Sequence, residues 1–266
     1  MDGVRSLPAA VLVGGRALAD LVLPRICGGC GVPGAVLCGS CRRLLTRPRL
    51  AQPRRHPPGF PPTVAAGAYA GPVRPAVLAF KEHGRAELAG PLGTALALAV
   101  VAVLDGLPEP RGRPGPVLLV PVPSSAAAVR HRGRDHVREL ADVASAELRA
   151  AGVPARTARL LGRVSGRRVR DSAGLDVLER RANLAGRFRA LPPRTALPQG
   201  SRLVLVDDVV TSGATLTEAA RALRAVPDVA CPRADTPVLA AVVAATPRRA
   251  RQPLPVTGPG AFTVRG

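Results

Sequence analysis

The fold of this chain is decided by the stretch Leu203-Val-Leu-Val-Asp-Asp-Val-Val-Thr-Ser-Gly-Ala-Thr-Leu216. Its four leading apolar residues are typical of a parallel strand that is buried on both faces of a sheet. Asp207 and Asp208 end the apolar run, and a short loop of hydroxyls with one glycine precedes a helical pattern that runs to about Ala225. The stretch therefore predicts a strand, a loop and a helix in succession, which is the repeating unit of parallel α/β sheets.

This loop has the chemistry of a site for a phosphorylated sugar. Ligands of open parallel sheets bind just outside the carboxyl ends of the strands. The hydroxyls and N–H groups of 211–215 can bind a phosphate, helped by the positive end of the next helix. Asp207 and Asp208 would repel that phosphate, so we expect them to face hydroxyls or a cation. A ribose 5-phosphate meets both requirements, whereas the simpler alternative is an ordinary strand–turn–helix with an acidic edge.

Other phosphate-binding motifs are absent from the sequence. It has no Gly-x-x-x-x-Gly-Lys-Ser/Thr run, and no Gly-x-Gly-x-x-Gly follows a predicted strand. By motif, the chain is therefore not a nucleotide triphosphatase.

Length and composition indicate one domain of ordinary size with a small additional module. The chain has 266 residues, of which 47% are apolar but only 2% aromatic, so Ala, Val and Leu must fill the core. Its 38 basic and 18 acidic residues give a formal charge of +20, and Lys81 is the single lysine. The charge predicts affinity for polyanions, although a GC-rich coding bias explains part of the arginine content. The shortage of aromatics argues against a platform that stacks single-stranded bases.

The sequence predicts a cytoplasmic protein without a membrane span. The apolar run 7–13 follows Arg5 as in a secretory signal, but it is short, contains Pro8 and is soon followed by Arg16 and Asp20. No stretch approaches the roughly 18 uninterrupted apolar residues of a membrane helix.

Four cysteines form two Cys-x-x-Cys pairs, Cys27 with Cys30 and Cys38 with Cys41. Small residues between the thiols of each pair let both sulfurs turn toward one point, so the four predict a tetrahedral Zn²⁺ site with a structural role. A redox pair or an iron–sulfur cluster is the alternative, and a disulfide is disfavoured in a reducing cytosol. Cys231 stands alone and is interpreted as an inert thiol.

The chain divides into four predicted regions. Residues 1–45 carry the cysteine module, 46–62 form an extended linker rich in proline and arginine, 63–246 form the main domain, and the tail 247–266 is predicted to be disordered. Apolar runs and helical periodicity predict the elements of the main domain: strands over 64–69, 117–122, 203–206 and 238–244, and helices over 73–81, 88–104, 138–150 and 216–225. Their alternation predicts an α/β fold with a parallel sheet flanked by helices.

A second polar segment follows the predicted strand at 117–122. It reads Pro121-Val-Pro-Ser-Ser125 and continues later as Arg130-His-Arg-Gly-Arg-Asp-His136. Beside the 203–206 strand it would bring serines and arginines to the opposite side of the ribose, where bidentate arginines suit a pyrophosphate. The alternative is a solvated basic turn. His131 and His136 are candidates for a general base, but they are interpreted as solvated residues of that turn.

The stretch 203–216 resembles the 5-phosphoribosyl-1-pyrophosphate (PRPP) motif of type I phosphoribosyltransferases. More widely, residues 20–245 resemble the ComF family, also called GntX-like or amidophosphoribosyltransferase-like. This resemblance rests on an ordered series of motifs: the two cysteine pairs, Tyr69-x-Gly-x-Val with Phe80-Lys81, Pro121-Val-Pro, Arg132-Gly133, and Arg180/Arg181 with Asn183 and Phe188. Two positions depart from the family: Arg134-Asp135 replaces an aromatic and an amide, and Ser172 stands near the place of a glutamine.

The resemblance implies a type I phosphoribosyltransferase fold with a small N-terminal zinc-ribbon-like module. It implies that Asp207 and Asp208 contact the ribose 2- and 3-hydroxyls. Two phosphate sites are expected: a 5-phosphate loop of Val209, Val210, Thr211, Ser212, Gly213, Ala214 and Thr215, and a pyrophosphate side with Ser124, Ser125, Arg130, Arg132 and Lys81.

Two functions follow from the sequence. The first is transfer of phosphoribosyl from PRPP to a nitrogen nucleophile, with Mg²⁺ on the pyrophosphate and the two acids offsetting positive charge on the ring. The second, implied by the family resemblance, is an accessory role in DNA uptake during natural transformation, with DNA or a helicase-like protein as partner. The sequence leaves open the acceptor, the oligomeric state and whether catalysis is retained.

Overall fold

The described residues of the computed structural model are 25–53, 57–106, 115–164, 186–193, 195–225 and 237–247. Eight strands occur in them: β1 (Arg49–Leu50), β2 (Thr63–Ala68), β3 (Val117–Pro121), β4 (Ala155–Thr157), β5 (Leu161–Arg163), β6 (Phe188–Ala190), β7 (Arg202–Val210) and β8 (Leu239–Ala245). Six α-helices accompany them: α1 (Gly39–Arg43), α2 (Val73–Lys81), α3 (Ala89–Asp105), α4 (Ala126–Arg132), α5 (His136–Ala150) and α6 (Ala214–Arg224). A 3₁₀ turn, Ala86–Leu88, leads into α3.

Six of these strands form one sheet in the order β1–β2–β8–β7–β3–β4. All neighbours are parallel except the edge pair β1–β2, which is antiparallel. β5 and β6 form a separate antiparallel ribbon. The predicted α/β fold with a mostly parallel sheet is confirmed, and the predicted strands and helices are present with ends that shift by up to four residues.

The central strands are apolar because helices cover both faces of the sheet. On one face, Val204 and Val206 of β7 pack in a core with residues of α2, α3 and α5. On the other face, Leu203 and Leu205 pack with residues of α6 and of the β5–β6 ribbon. Alternate residues of a strand point to opposite faces, which is why the residues of 203–206 divide between the two cores.

The segment Ala86–Asp105, with 20 residues, is long and apolar enough to cross a membrane. Its packing is that of a core helix, because α3 contacts α5, β2 and β8, and Leu92, Leu96 and Val100 are fully buried. The segment therefore does not indicate a membrane span.

The cysteine module packs onto the main domain. Leu37 and Leu45 belong to the same core as α2 and α3. At Gly67 of β2, an added Cβ would lie 2.5 Å from the carbonyl oxygen of Leu44. The absence of a side chain at Gly67 is therefore what lets the module approach the sheet.

Residues 46–62, predicted as an extended linker, pack against the domain wherever the structure describes them. β1 pairs with β2 at the sheet edge, and Ala51 and Pro57 are buried. The Phe60 ring packs on Gly213, and the Gly59 carbonyl accepts a hydrogen bond from α6. The segment is thus held along the sheet edge and α6, and it does not space the cysteine module away from the domain.

Some predictions fall outside the described residues. They concern the apolar run 7–13, the segment with Ser172, Arg180, Arg181 and Asn183, the lone Cys231, and the tail from 248 onward. They stay predictions.

Candidate active site

The acid pair lies where the connections of the sheet reverse direction. From β7 the chain continues through α6 to β8 on one side, whereas from β3 it continues through α5 to β4 on the other. β3 and β7 are neighbours, and their pairing ends at Pro121 with Val206, the residue before Asp207. Such reversal points form the crevices in which open α/β sheets bind ligands.

β7 is longer than the sequence predicts. It continues through both acids to Val210, which pairs with β8 and is buried. Val209 and Val210, predicted in the phosphate loop, are therefore strand residues. The loop itself is Thr211–Gly213, and Ala214 and Thr215 form the first turn of α6.

The loop enters α6 through a left-handed glycine. Gly213 has φ 77° and ψ −7°, a conformation that other residues rarely adopt, and an added Cβ would lie 2.7 Å from the Phe60 ring. As the cap of α6 it offers no side-chain acceptor, and the Ala214 nitrogen has only a 3.5 Å contact with Ser212 Oγ. The first turn of α6 therefore suits an anion, and the exposed hydroxyl of Thr211 lies in the same loop.

The two acids have different surroundings. Asp208 is 3% exposed, and its Oδ2 lies 2.8 Å from Lys81 Nζ and 3.1 Å from His136 Nε2. Its Oδ1 accepts a 2.7 Å hydrogen bond from the Val209 N–H. Asp207 is half-buried, accepts a 2.9 Å hydrogen bond from the Asp208 N–H, and has no ion-pair partner in the described part of the chain.

These charges set the ionisation of the network. Burial opposes charge on Asp208, but the His136 hydrogen bond and the Lys81 ammonium outweigh it and hold the pKa of that carboxyl well below its usual range. Burial also opposes charge on Lys81, but the Asp208 carboxylate outweighs it and raises the pKa of the ammonium. For Asp207, burial and the Asp208 charge raise the pKa well above its usual range. The site therefore contains the Lys81–Asp208 ion pair next to the carboxyl group of Asp207, which resists ionisation.

Helix ends hold both partners of the buried acid. Lys81 is the last residue of α2. His136 is the first residue of α5, directly after Asp135, whose side chain caps the helix by accepting a 3.4 Å backbone hydrogen bond. The His136 ring meets the Phe80 ring edge-on, with centroids 6.1 Å apart. Both side chains thus converge on β7 because α2 and α5 pack on the same face of the sheet.

The arginine-rich turn before α5 faces the protein rather than a ligand. Arg134 donates to the Phe80 carbonyl at 2.8 Å, stacks over the Phe80 ring at 4.2 Å and pairs with Glu139. Arg132 lies 3.6 Å from Glu82. The turn therefore holds the end of α2, which carries the lysine of the network.

The residues predicted for the pyrophosphate side do not all come together. Ser124 and Arg130 line a cavity of about 660 Å³ beside the carboxyl end of β3. Ser125 instead caps α4, because its Oγ accepts a 3.1 Å hydrogen bond from the helix backbone. Arg132 and Lys81 are engaged in ion pairs with acids of the protein.

The cavity beside β3 is basic. Its charged lining consists of Arg130, Arg138, Arg159, Arg163, Asp135 and Asp142. The Arg163 guanidinium donates to the Pro123 carbonyl at 3.3 Å. Burial and the nearby Arg187 charge lower the pKa of Arg163. An anion in the cavity would therefore be attracted to this half-buried cation.

The four cysteines form a compact cluster. Their Sγ atoms all lie within 4.8 Å of one another, and those of Cys30 and Cys38 are 3.6 Å apart. Ligand sulfurs at a Zn–S length of about 2.3 Å are roughly 3.8 Å apart in a tetrahedron, so the cluster fits one such ion. Burial opposes the Cys27 thiolate, but hydrogen bonds from neighbouring backbone N–H groups outweigh it and lower the pKa of Cys27 to about 6, which favours metal binding.

Sequence reasoning misses the role of His136. The interpretation of this residue as a solvated part of a basic turn is wrong. The residue is 2% exposed and is bonded to Asp208. A signal exists in Asp135, since aspartate commonly caps helices and a cap there puts His136 in the first turn. The sequence does not show that this turn packs against β7.

Part of the chain matches a known domain family. Residues 140–234 match the family model described as a phosphoribosyl transferase domain. The match includes the acid pair and the Thr211–Gly213 loop, whereas the four cysteines, Lys81 and His136 lie outside it. No curated protein and no solved structure matches the chain. Residues 140–234 are therefore a phosphoribosyl transferase domain.

Proposed function

We propose that this protein binds PRPP together with Mg²⁺ and transfers its phosphoribosyl group to a nitrogen nucleophile. The observation that carries the proposal is the acid pair and glycine loop at the carboxyl end of β7, within the residues that match a phosphoribosyl transferase domain. The loop supplies hydroxyls and a helix N-terminus for the 5-phosphate. PRPP has both the anionic end that suits the loop and the hydroxyls that suit the acids.

Asp207 is the acid proposed to face the ribose. It is half-buried and lacks an ion-pair partner in the described chain, whereas both oxygens of Asp208 are engaged. Ribose hydroxyls would donate to Asp207, and its negative charge would offset the positive charge that develops on the ring. In the reaction the C1–O bond to pyrophosphate breaks, a C1–N bond forms, and the nitrogen loses one proton to solvent.

Pyrophosphate is proposed to leave on the β3 side of the site. Ser124, Arg130 and Arg163 border the cavity there, and arginine binds phosphate oxygens through two parallel N–H donors. Mg²⁺ in substrate sites is usually bound by one or two carboxylates together with phosphate oxygens of the substrate. Asp207 offers a carboxylate of this kind, so the site fits the ion. Charge on the departing pyrophosphate would be neutralised by Mg²⁺ bound with PRPP.

Pyrophosphate release from PRPP, measured with a panel of nucleobases and amines, tests the transfer. We expect Mg²⁺-dependent release with at least one nitrogen nucleophile, and loss of that release in Asp207→Ala. The matched control is Asp105→Ala, which removes an exposed acid at the end of α3. Unchanged release in Asp207→Ala would contradict the assigned site, and no PRPP binding by wild type in calorimetry would contradict the proposed function.

We also propose that the cysteine cluster binds a structural Zn²⁺. Four thiolates complete a tetrahedral set, so no coordination position stays open for chemistry. Metal analysis should find about one Zn²⁺ per chain, and Cys27→Ser with Cys30→Ser should lose it together with stability of the module. Protein that carries no zinc and melts at the same temperature after chelation would contradict this proposal.

A second candidate function is a non-catalytic accessory role in DNA uptake, as the resemblance to the ComF family implies. The observation that favours it is the formal charge of +20, which attracts polyanions such as DNA. DNA affinity should then fall steeply with salt and survive Asp207→Ala, and a helicase-like partner should co-purify. Weak or salt-independent DNA binding would reject this candidate. A cytoplasmic location suits both functions.

A further inference from the structure

We infer that His136 is a positioning residue of the PRPP site: its Nε2–H group holds the Asp208 carboxylate in its pair with Lys81, so that Asp207 faces the ligand. The inference rests on the proposed function, which supplies the ligand. His136 lies outside residues 140–234, so the domain match assigns it no role.

Both carboxylate oxygens of Asp208 accept hydrogen bonds from the protein. Its Oδ1 is bonded to the Val209 N–H at 2.7 Å, and its Oδ2 is bonded to Lys81 at 2.8 Å and to His136 at 3.1 Å. Only 3% of the residue is exposed. A carboxylate that is this buried and bonded to three protein donors is part of the support of the site.

The geometry sets the form of the His136 ring. An ionised Asp208 only accepts hydrogen bonds, so the proton of the ring lies on Nε2. Nδ1 is buried without a hydrogen-bond partner among the described residues, and a second proton there would be an unsatisfied buried donor. His136 therefore acts as an Nε2–H donor to Asp208.

The histidine provides what the lysine cannot provide alone. The Lys81 side chain is 33% exposed and ends in a flexible ammonium, which fixes charge but not direction. The His136 side chain is 3% exposed and is confined between the start of α5 and the Phe80 ring. A confined donor fixes the orientation of the Asp208 carboxylate. Because Asp208 Oδ1 is also bonded to the Val209 N–H, a fixed carboxylate in turn restrains the backbone that leads into the phosphate loop.

The consequence is a division of roles between adjacent residues. Lys81 and His136 both bind Asp208, whereas Asp207 is only half-buried and has no ion-pair partner within the described ranges. Losing the His136 donor should therefore weaken PRPP binding indirectly, through the position of Asp208 and of the strand end.

The binding test compares His136→Gln and His136→Leu with the control His131→Leu, which changes an exposed residue of α4. Calorimetry with Mg²⁺ and PRPP should give His136→Gln an affinity within about threefold of wild type, because the amide keeps an N–H donor. His136→Leu removes the donor and should weaken binding roughly tenfold to a hundredfold, with zinc content unchanged. His131→Leu should bind as wild type does.

Nitrogen-15 NMR of the four histidines gives a readout that does not need PRPP. One ring should carry a hydrogen-bonded proton on Nε2, be absent from the spectrum of His136→Gln, and change its N–H proton shift in Asp208→Asn. An Nε2 without a proton at His136 would overturn the inference, and so would wild-type PRPP affinity in His136→Leu. Failure of wild type to bind PRPP would instead remove the proposed function, and the NMR result would still decide whether His136 holds Asp208.

Discussion

The carboxyl ends of β3 and β7 lie side by side, yet their polar residues have different partners. After β7 the chain offers hydroxyls, a left-handed glycine and an uncapped helix start. After β3 two polar side chains turn back into the protein, Arg134 to the end of α2 and His136 to β7. A ligand loop built from the backbone can therefore be recognised from a short stretch of sequence, whereas long charged side chains find partners that the local sequence does not contain.

The same contrast divides the acid pair. Asp208 belongs to the inward-facing set, because it is buried with Lys81 and His136. Asp207 belongs to the ligand-facing set, because it is half-buried beside the glycine loop and lacks an ion-pair partner in the described residues. Substitutions should therefore affect folding at one acid and ligand binding at the other.

The largest effect on stability is expected from Asp208→Ala. The change leaves Lys81 and His136 without their shared acceptor, and breaking a buried pair in this way should cost about 3 kcal/mol. Asp207→Ala should keep or slightly raise the free energy of unfolding, because burial and the neighbouring charge disfavour that carboxylate. Urea unfolding of both variants measures the difference, and equal losses would remove the proposed division between the acids.

Gly213→Val should have the next largest effect. A β-branched residue at φ 77° costs about 2 kcal/mol through backbone strain, and its Cβ would press on the Phe60 ring. Gly152→Val is the matched control, because Gly152 has φ 79° with open space around its Cβ position and lies after α5. Both variants should lose stability in urea unfolding, but only Gly213→Val should also lose PRPP binding in calorimetry.

A smaller effect on the free energy of unfolding should distinguish Arg134 from Arg130, two arginines that follow β3 in the chain. Arg134→Met removes the hydrogen bond to the Phe80 carbonyl and the contact over its ring, at a cost of about 1–2 kcal/mol. Arg130→Met changes an exposed residue of the cavity and should stay within about 0.5 kcal/mol of wild type. The apparent PRPP affinity should fall in Arg130→Met, and a stability loss equal to that of Arg134→Met would show that Arg130 also faces the protein.

The smallest effect is a dependence of stability on pH that differs between the acids. Because the pKa of Asp207 is raised, the folded state keeps a proton that the unfolded chain loses above about pH 4. This residue therefore lowers the free energy of unfolding as pH rises from about 4 toward the pKa of the folded state. The lowered pKa of Asp208 contributes stability that is present above about pH 4 and is lost on acidification. Asp207→Ala should therefore gain stability relative to wild type between about pH 4 and neutrality, as measured by urea unfolding at a series of pH values. Parallel curves of unfolding free energy against pH for the two proteins would contradict this account.

Binding of PRPP should reverse the effect of burial on Asp207. If ribose hydroxyls donate to its carboxylate, binding releases the proton that burial retains. Calorimetry in two buffers of different ionisation enthalpy should detect this release in wild type and not in Asp207→Ala. Buffer-independent enthalpies in wild type would show that Asp207 is already ionised or does not meet the ligand.

Local chemistry explains what the sequence could predict. The strands β3 and β8 are apolar throughout, β7 is apolar over 203–206, and the sugar-phosphate loop follows β7 within three residues of its end. The network of Asp208 could not be predicted in this way, because His136 lies 72 residues away and reaches β7 only through the packing of α5. The prolines of 46–62 indicate an extended chain, but composition does not show that Ala51 joins the core beside α6.

The most direct test of the central claim, that Asp207 and not Asp208 faces the ligand, is calorimetry of Mg²⁺ and PRPP binding to Asp207→Ala. The variant should unfold at the same urea concentration as wild type or a higher one, and its PRPP affinity should fall at least tenfold through loss of a charged hydrogen-bond acceptor. Wild-type affinity in this stably folded variant would contradict the claim.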